Sequence, residues 1–79
     1  MIECVPNFSE GRDLARMQKI VDRIAAVPGV LLLGWEADED HNRSVVTFAG
    51  DPANVIAGAV EGAIAAAELL DLQARLEEA

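Results

Sequence analysis

The pattern of hydrophobic and polar residues in the first half of the chain predicts a strand followed by a helix. Residues 1–5 form a short apolar run that Pro6 ends, because proline has no N–H to donate to a neighbouring strand. After Asp13, which can cap a helix as Ser9 also can, apolar residues recur at helical spacing. Five residues form this apolar stripe: Leu14, Met17, Ile20, Val21 and Ile24. The Pro-Gly step at 28–29 predicts the end of the helix.

The second half of the chain predicts two further strands and a long helix. Residues 30–35 form a continuous apolar run, which is typical of a strand covered on both faces. The acidic stretch 36–40 predicts a hairpin loop that leads into a strand at 44–49. Residues 51–79 predict one helix, because an aspartate that can cap it is followed by proline at its first position. Its predicted buried face consists of Val55, Ile56, Ala59, Val60, Ala63, Ile64 and Ala67.

The order strand, helix, strand, strand, helix predicts an α/β (α+β) fold of the ferredoxin-like type, β-α-β-β-α with the last strand missing. Residues 1–79 then form a single domain with two helices on one face of a three-stranded sheet. Strand one would lie at an edge, and the helices cannot cover the second face. An open edge and a bare face predict a homodimer through either surface, or the absence of a C-terminal subdomain.

Composition narrows the classes of partner. The chain has 79 residues, 52% of them hydrophobic, and a formal net charge of −8. This acidity argues against nucleic acid and against anionic membrane surfaces. The single cysteine, Cys4, excludes an internal disulfide and is expected to face the core. No Cys/His spacing predicts a metal site. The sequence shows no signal-peptide pattern and no long apolar run, so a cytoplasmic location is expected.

Two polar stretches are candidates for binding a small molecule. The first is the turn at 7–11, and the second is His41-Asn42-Arg43 at the start of a predicted strand. A few polar groups on rigid elements are the usual means of gripping a small molecule. A guanidinium can hold a carboxylate with two parallel hydrogen bonds, and an asparagine offers both a donor and an acceptor.

These two stretches carry a resemblance to a known family. Residues 3–11 read ECVPNFSEG and residues 41–50 read HNRSVVTFAG. Both resemble signatures of the N-terminal subdomain of glutamate formimidoyltransferase (formiminotransferase), and the resemblance covers residues 1–73. The Pro-Gly step at 28–29, the helix start at 51–52 and Leu70-Asp71 also fit.

The resemblance implies a reaction and a set of site residues. The family transfers a formimino group from N-formimino-glutamate to tetrahydrofolate in histidine breakdown, without a metal and with no covalently bound cofactor. Its N-terminal subdomain pairs with a similar C-terminal subdomain and holds folate, the co-substrate, between them. The family's enzyme is a dimer. By resemblance, Asn7, Ser9, Asn42 and Arg43 would line the substrate and folate cleft.

The chain departs from the family where the catalytic histidine is expected. That histidine would fall at or about Ala79, where the sequence has helix-forming residues instead. A trimmed or redesigned subdomain that is inactive by itself is therefore expected, with a natural short paralogue as the alternative. His41 is a possible acid/base, although its simpler role is to order the hairpin. The alternative to a half-enzyme is a self-associating structural scaffold that binds no ligand.

Overall fold

The computed structural model describes the backbone of residues 1–78 and the side chains of residues 1–69. Its six elements follow in chain order: β1 (Ile2–Cys4), β2 (Asn7–Phe8), α1 (Leu14–Ala25), β3 (Leu31–Asp38), β4 (Arg43–Gly50) and α2 (Pro52–Glu78). The predicted α+β class is confirmed. Ala79, where the family's histidine was expected to fall, lies outside the described residues.

The sheet is antiparallel and centred on β4. One side of β4 pairs with β3, and the other side pairs first with β2 and then with β1. The sheet therefore has four strands in place of the predicted three. The reason is Pro6, which interrupts the first strand while its carbonyl still accepts a hydrogen bond from the Val46 N–H at 3.1 Å. Among the described residues β1 and β2 pair only with β4, so the predicted edge position is confirmed.

Helices α1 and α2 pack on one face of the sheet, as predicted. The core between them holds Met17, Ile20, Val21, Ile24, Val46, Phe48, Val55 and Ala65. Cys4 packs against this core, also as predicted. Asp13 caps α1 by accepting a hydrogen bond from the Arg16 N–H at 3.1 Å, which decides between the two candidate caps.

The buried face predicted for α2 is only partly confirmed: Val55 is buried and Ala59 packs against the core, but the larger residues of the predicted face are exposed. Ile56, Val60 and Ile64 are 63%, 50% and 41% exposed, whereas Gly58 and Gly62 are buried. Gly58 packs against Phe48 of the sheet and Gly62 packs against Ile24 of α1, and both approaches are too close for larger residues. Residues 52–67 contain one charged side chain, Glu61, so hydrophobicity alone does not distinguish the two faces. Glu61 accepts a hydrogen bond from the Arg23 guanidinium of α1 at 2.8 Å.

The opposite face of the sheet is not covered by any of the residues that the structure describes. Leu31 and Leu33 are 54% and 51% exposed, although the continuous apolar run of β3 predicts a strand covered on both faces. The predicted acidic loop is also shorter than expected, because residues 36–38 pair with β4 and leave only residues 39–42 in the turn. No helix in the described part of the chain meets the length and hydrophobicity needed to cross a membrane.

Candidate functional site

The two polar stretches that the sequence singles out lie against each other. The Gly11 N–H donates to Asn42 Oδ1 at 3.0 Å, although the two residues are 31 positions apart. Nearby, Arg12 Nε donates to the Glu39 carbonyl at 3.1 Å. Both hydrogen bonds join the loop after β2 to the turn between β3 and β4. One polar end of the sheet is thus built from two distant parts of the chain.

Gly11 owes its position to the absence of a side chain. A Cβ there would stand 2.6 Å from the Arg43 backbone nitrogen, and it would also overlap the carbonyl oxygens of Asp38 and Arg43. These are backbone atoms at the two ends of the hairpin turn, so they cannot move aside independently of the sheet. The glycine of the first signature therefore lets the loop press directly on the second signature.

Glu10 organises the loop between β2 and α1, and sequence reasoning missed it. Its Oε1 accepts hydrogen bonds from the N–H groups of Arg12 and Asp13 at 3.1 and 2.9 Å, and its Oε2 lies 3.5 Å from the Arg16 guanidinium. The signal that could have found it is a carboxylate three residues before a helix cap, where backbone N–H groups still need acceptors.

The turn between β3 and β4 is stabilised by Asp38. One carboxylate oxygen accepts hydrogen bonds from the backbone N–H groups of Asp40 and His41, and the other lies 2.6 Å from His41 Nδ1. The side-chain hydrogen bond with His41, followed by the backbone one, lowers the pKa of Asp38 below its usual value. The His41 side chain is 73% exposed. This geometry agrees with the simpler role expected for His41, which is ordering the hairpin.

The four residues predicted to line the cleft lie near one another but do not all lie on the same face of the sheet. Asn7 pairs with Val45 of β4, and Arg43 lies two residues before Val45, so both alternate onto the face of the sheet opposite the helices. Such diagonal neighbours are about 7 Å apart. Ser9 is exposed beyond the end of β2, whereas Asn42 is half-buried in the turn. The structure brings Asn7 and Arg43 together on one face, and it uses Asn42 to hold the loop.

Three cavities surround this end of the molecule. A polar hollow of about 660 Å³ lies at the start of α1 and is bordered by Glu10, Arg12, Asp13, Leu14, Arg16 and Asn42. A smaller pocket of about 200 Å³ lies between the end of β2 and the two helices, so that Asn7 borders it from the strand although the residue belongs to the opposite face by register; its lining is Asn7, Phe8, Ser9, Glu10, Arg16, Ile20, Ala66 and Leu69. The third, of about 460 Å³, is a groove on the uncovered sheet face, bordered by Leu33, Gly34, Trp35, Glu36, Val45 and Thr47.

The groove on the uncovered face is continuous in register with the polar residues. Glu36 pairs with Val45, which pairs on its other side with Asn7. Glu36, Val45 and Asn7 therefore form one row across this face of the sheet, with a carboxylate, an apolar side chain and an amide. Arg43 lies in the next row on the same face. This surface offers a cation for a carboxylate, together with acceptors for N–H groups. Within the described residues, no three His, Cys, Asp or Glu side chains are grouped to hold a metal ion.

Comparison with known proteins identifies the family to which the sequence is related. The family model described as the formiminotransferase domain, N-terminal subdomain, matches residues 1–77. A glutamate formimidoyltransferase of Thermoplasma acidophilum is 49% identical over 78 residues, which is 99% of this chain and 26% of that protein. A formimidoyltransferase-cyclodeaminase of Sus scrofa is 42% identical over 72 residues, covering 91% of this chain and 13% of that protein.

A third relative, a glutamate formimidoyltransferase of Streptococcus pyogenes, is 39% identical over 72 residues, or 91% of this chain and 24% of its own. The chain thus spans about a quarter or less of the length of these relatives. The match nevertheless covers both signatures and every strand and helix from Ile2 to the last turn of α2. The chain belongs to the formiminotransferase family, as an N-terminal subdomain.

Proposed function

We propose that this chain provides one half of a formimino-transfer site, with N-formimino-glutamate and tetrahydrofolate as the substrates. The observation that carries the proposal is the Gly11–Asn42 hydrogen bond, which joins the two family signatures and leaves Asn7 and Arg43 on one uncovered face. The relatives matched by this chain are named as formimidoyltransferases. Both proposed substrates carry glutamate carboxylates, which suit a guanidinium in an otherwise acidic chain.

Arg43 is the proposed carboxylate ligand. It is exposed at the start of β4, and its neighbours in the ladder fix the backbone from which it extends. Asn7 and Ser9 would contact the ligand from the adjacent strand end, as donors and acceptors. The groove beside Glu36 would accommodate the remainder of the ligand. A second wall is still needed, because the uncovered face binds from one side only.

We expect this half-site to bind substrate without turning it over. Proton transfer by a positioned group contributes roughly 10²- to 10⁴-fold, and alignment of two reactants contributes more. His41 is a poor candidate for that proton transfer, since its side chain is 73% exposed on the hairpin turn and therefore surrounded by water, although the Asp38 carboxylate at Nδ1 leaves its Nε2 free. An assay with both substrates should therefore give no turnover above background. Turnover that His41→Ala abolishes would overturn this expectation.

A titration tests the binding half of the proposal. The isotopically labelled chain is titrated with 5-formyl-tetrahydrofolate, a stable analogue, and separately with N-formimino-glutamate, while amide resonances are followed. Saturable shifts centred on Asn7 and Arg43 support the half-site. Arg43→Ala should weaken binding about ten- to a hundredfold, which corresponds to losing a charged hydrogen bond. Arg43→Lys should restore part of it, because lysine keeps the charge but not the two-pronged geometry.

A matched control separates a specific contact from a change in net charge. Lys19 is exposed on α1, on the helix side of the sheet, and Lys19→Ala removes one positive charge just as Arg43→Ala does. It should leave the dissociation constant unchanged within about twofold. Equal weakening by both substitutions, or no shifts at millimolar ligand, would count against the proposed function.

A second candidate function is self-assembly, and the exposed apolar side chains on the sheet favour it. Leu31 and Leu33 are more than half exposed on a strand whose sequence is typical of one covered on both faces. A second copy that stands sheet to sheet over this face would cover them. The two candidates are compatible, since the second copy would also supply the missing wall of the cleft.

A further inference from the structure

Asn42 has a backbone conformation and a side-chain contact that are both uncommon. Its φ is 50°, which makes it the one non-glycine residue with positive φ in the described part of the chain. Asparagine tolerates this left-handed region better than most residues do. Its backbone N–H donates to the Glu39 carbonyl at 3.3 Å, closing the hairpin turn, and its Oδ1 accepts from the Gly11 N–H at 3.0 Å.

Gly11, the residue that Asn42 contacts, packs closely on the hairpin. It is buried, and the atoms nearest to the position of a Cβ there belong to the backbones of Asp38 and Arg43. The Gly11–Asn42 hydrogen bond, the Arg12–Glu39 hydrogen bond and this backbone contact therefore connect the same loop to the same hairpin. Because Arg43 follows Asn42 directly, any displacement of this loop is transmitted to the start of β4.

We propose that Asn42 is a positioning residue, which holds Arg43 and Asn7 in register through Gly11 and does not itself bind substrate. The inference rests on the proposed function above. It reassigns Asn42 from the set of cleft residues that the family resemblance implies. The Asn42 Oδ1 accepts a hydrogen bond from the Gly11 N–H, which fixes this side chain against the loop, so a ligand that turned the amide toward itself would break the link between the two signatures.

Removing the Asn42 side chain should weaken substrate binding indirectly, through the position of Arg43. Displacements of about 1 Å can cost large factors in a site that depends on alignment. Without the Asn42 side chain, only the Arg12–Glu39 hydrogen bond and the packing of Gly11 would hold the loop at 9–12 to the hairpin, and the guanidinium of Arg43 would sample a wider range of positions. Substrate affinity would fall although no ligand contact had been removed.

Two substitutions distinguish the side-chain bond from the backbone conformation. Asn42→Gly keeps the positive φ and removes the acceptor, whereas Asn42→Asp keeps both an acceptor oxygen and tolerance of the left-handed region. Ile24→Val, in the core on α1, is the stability control, because it lowers stability modestly without touching the loop. All measurements are made at a temperature where every variant is folded.

The first readout needs no ligand. In Asn42→Gly the Gly11 amide should lose at least tenfold of its hydrogen-exchange protection, and the Arg43 amide and Nε resonances should move. Asn42→Asp should retain the Gly11 protection, and Ile24→Val should leave the loop resonances in place. Unchanged Gly11 and Arg43 signals in Asn42→Gly would overturn the inference.

The second readout is the affinity for 5-formyl-tetrahydrofolate. Asn42→Gly should bind at least tenfold more weakly than the parent, while Ile24→Val binds normally. Weaker binding by Asn42→Gly with no movement of Arg43 would mean that Asn42 contacts the ligand itself, which also contradicts the inference. If the parent chain binds nothing, the proposed function fails, and the ligand-free readout alone decides whether Asn42 holds Arg43 in position.

Discussion

Gly58 of α2 lies directly against the ring of Phe48 in the central strand. A Cβ at this glycine would stand 2.9 Å from Cε2 of Phe48 and 3.2 Å from Cγ2 of Val30. Phe48 is fully buried, so its ring has no free space into which it can move. This approach fixes which face of α2 meets the sheet, and it turns Ile56 and Val60 outward.

The first prediction concerns the two glycines of α2. Gly58→Ala should lower the free energy of unfolding by about 1–3 kcal/mol through overpacking, even though alanine gains about 1 kcal/mol in helix propensity. Gly62→Ala should be close to neutral, because its nearest neighbour is Cδ1 at the flexible end of Ile24, at 2.9 Å. Urea denaturation of each variant measures the difference.

A third substitution measures what the change between alanine and glycine costs in helix propensity alone. Ala63 is exposed, so Ala63→Gly should cost about 1 kcal/mol from propensity alone. If Gly58→Ala stabilises the chain by an amount similar to what Ala63→Gly loses, the close approach of α2 to Phe48 is refuted.

The second prediction compares glycines in two different environments. Gly11→Ala should destabilise the chain by about 2–4 kcal/mol, because rigid backbone atoms occupy the space of the new methyl group. Gly34→Ala in β3 meets nothing within 4 Å, and it should be neutral or stabilise by up to about 1 kcal/mol. Thermal unfolding of both variants beside the parent tests the pair. Equal effects would mean that the loop at Gly11 is not packed against the hairpin.

Elements with a clear period or a clear terminator were predictable from the sequence. The stripe of α1 has a polar face opposite it, and Asp13 and Pro52 mark the helix starts with distinct chemistry. The same local rules failed for α2, where apolar residues surround the helix and side-chain size decides its orientation. Residues 36–38 look like loop because they are acidic, but they pair with β4 and extend β3. Tertiary pairing there outweighs local preference.

The sequence predicted which stretches form the candidate site, but it did not predict how those stretches contact one another. The two signatures are contiguous stretches, so their residue types alone mark them. Their mutual contact depends on a hydrogen bond between residues 31 positions apart, and no local pattern encodes that distance. Glu10 and Asp38, which order the two loops, are ordinary surface carboxylates in the sequence. Their importance lies in backbone N–H groups that only the folded chain brings to them.

The third prediction is a pH dependence at the hairpin. Hydrogen bonds from His41 lower the folded-state pKa of Asp38 below the ordinary value of 3.8. The ionised carboxylate therefore stabilises the fold fully above that ordinary value, and its contribution disappears as the pH falls through the lower folded-state pKa. A carboxyl-carbon NMR titration should give a midpoint for Asp38 below 3.8, and His41→Ala should raise it. An unchanged midpoint in His41→Ala would show that the turn does not depend on this pair.

Two exposed apolar areas on the described residues are candidates for a dimer interface, and the proposal selects one of them. The uncovered sheet face carries Leu31 and Leu33, and the outer face of α2 carries Ile56 and Val60. A stable interface needs roughly 800 Å² from each partner, which favours a broad sheet face over a single helix stripe. The sheet face is also the one that carries Asn7 and Arg43, so pairing there would enclose the proposed cleft.

The fourth prediction separates these surfaces by sedimentation equilibrium at micromolar concentration. The parent should be a dimer, and the double variant Leu31→Glu/Leu33→Glu should be monomeric, because two carboxylates would have to be buried without partners. Ile56→Glu/Val60→Glu adds the same charge to the outer face of α2 and should remain dimeric. The opposite pattern would assign the interface to α2, and a monomeric parent would refute self-assembly altogether. In either case the folate titration stands as a separate test, because the carboxylate contact proposed for Arg43 requires no residue of a second copy.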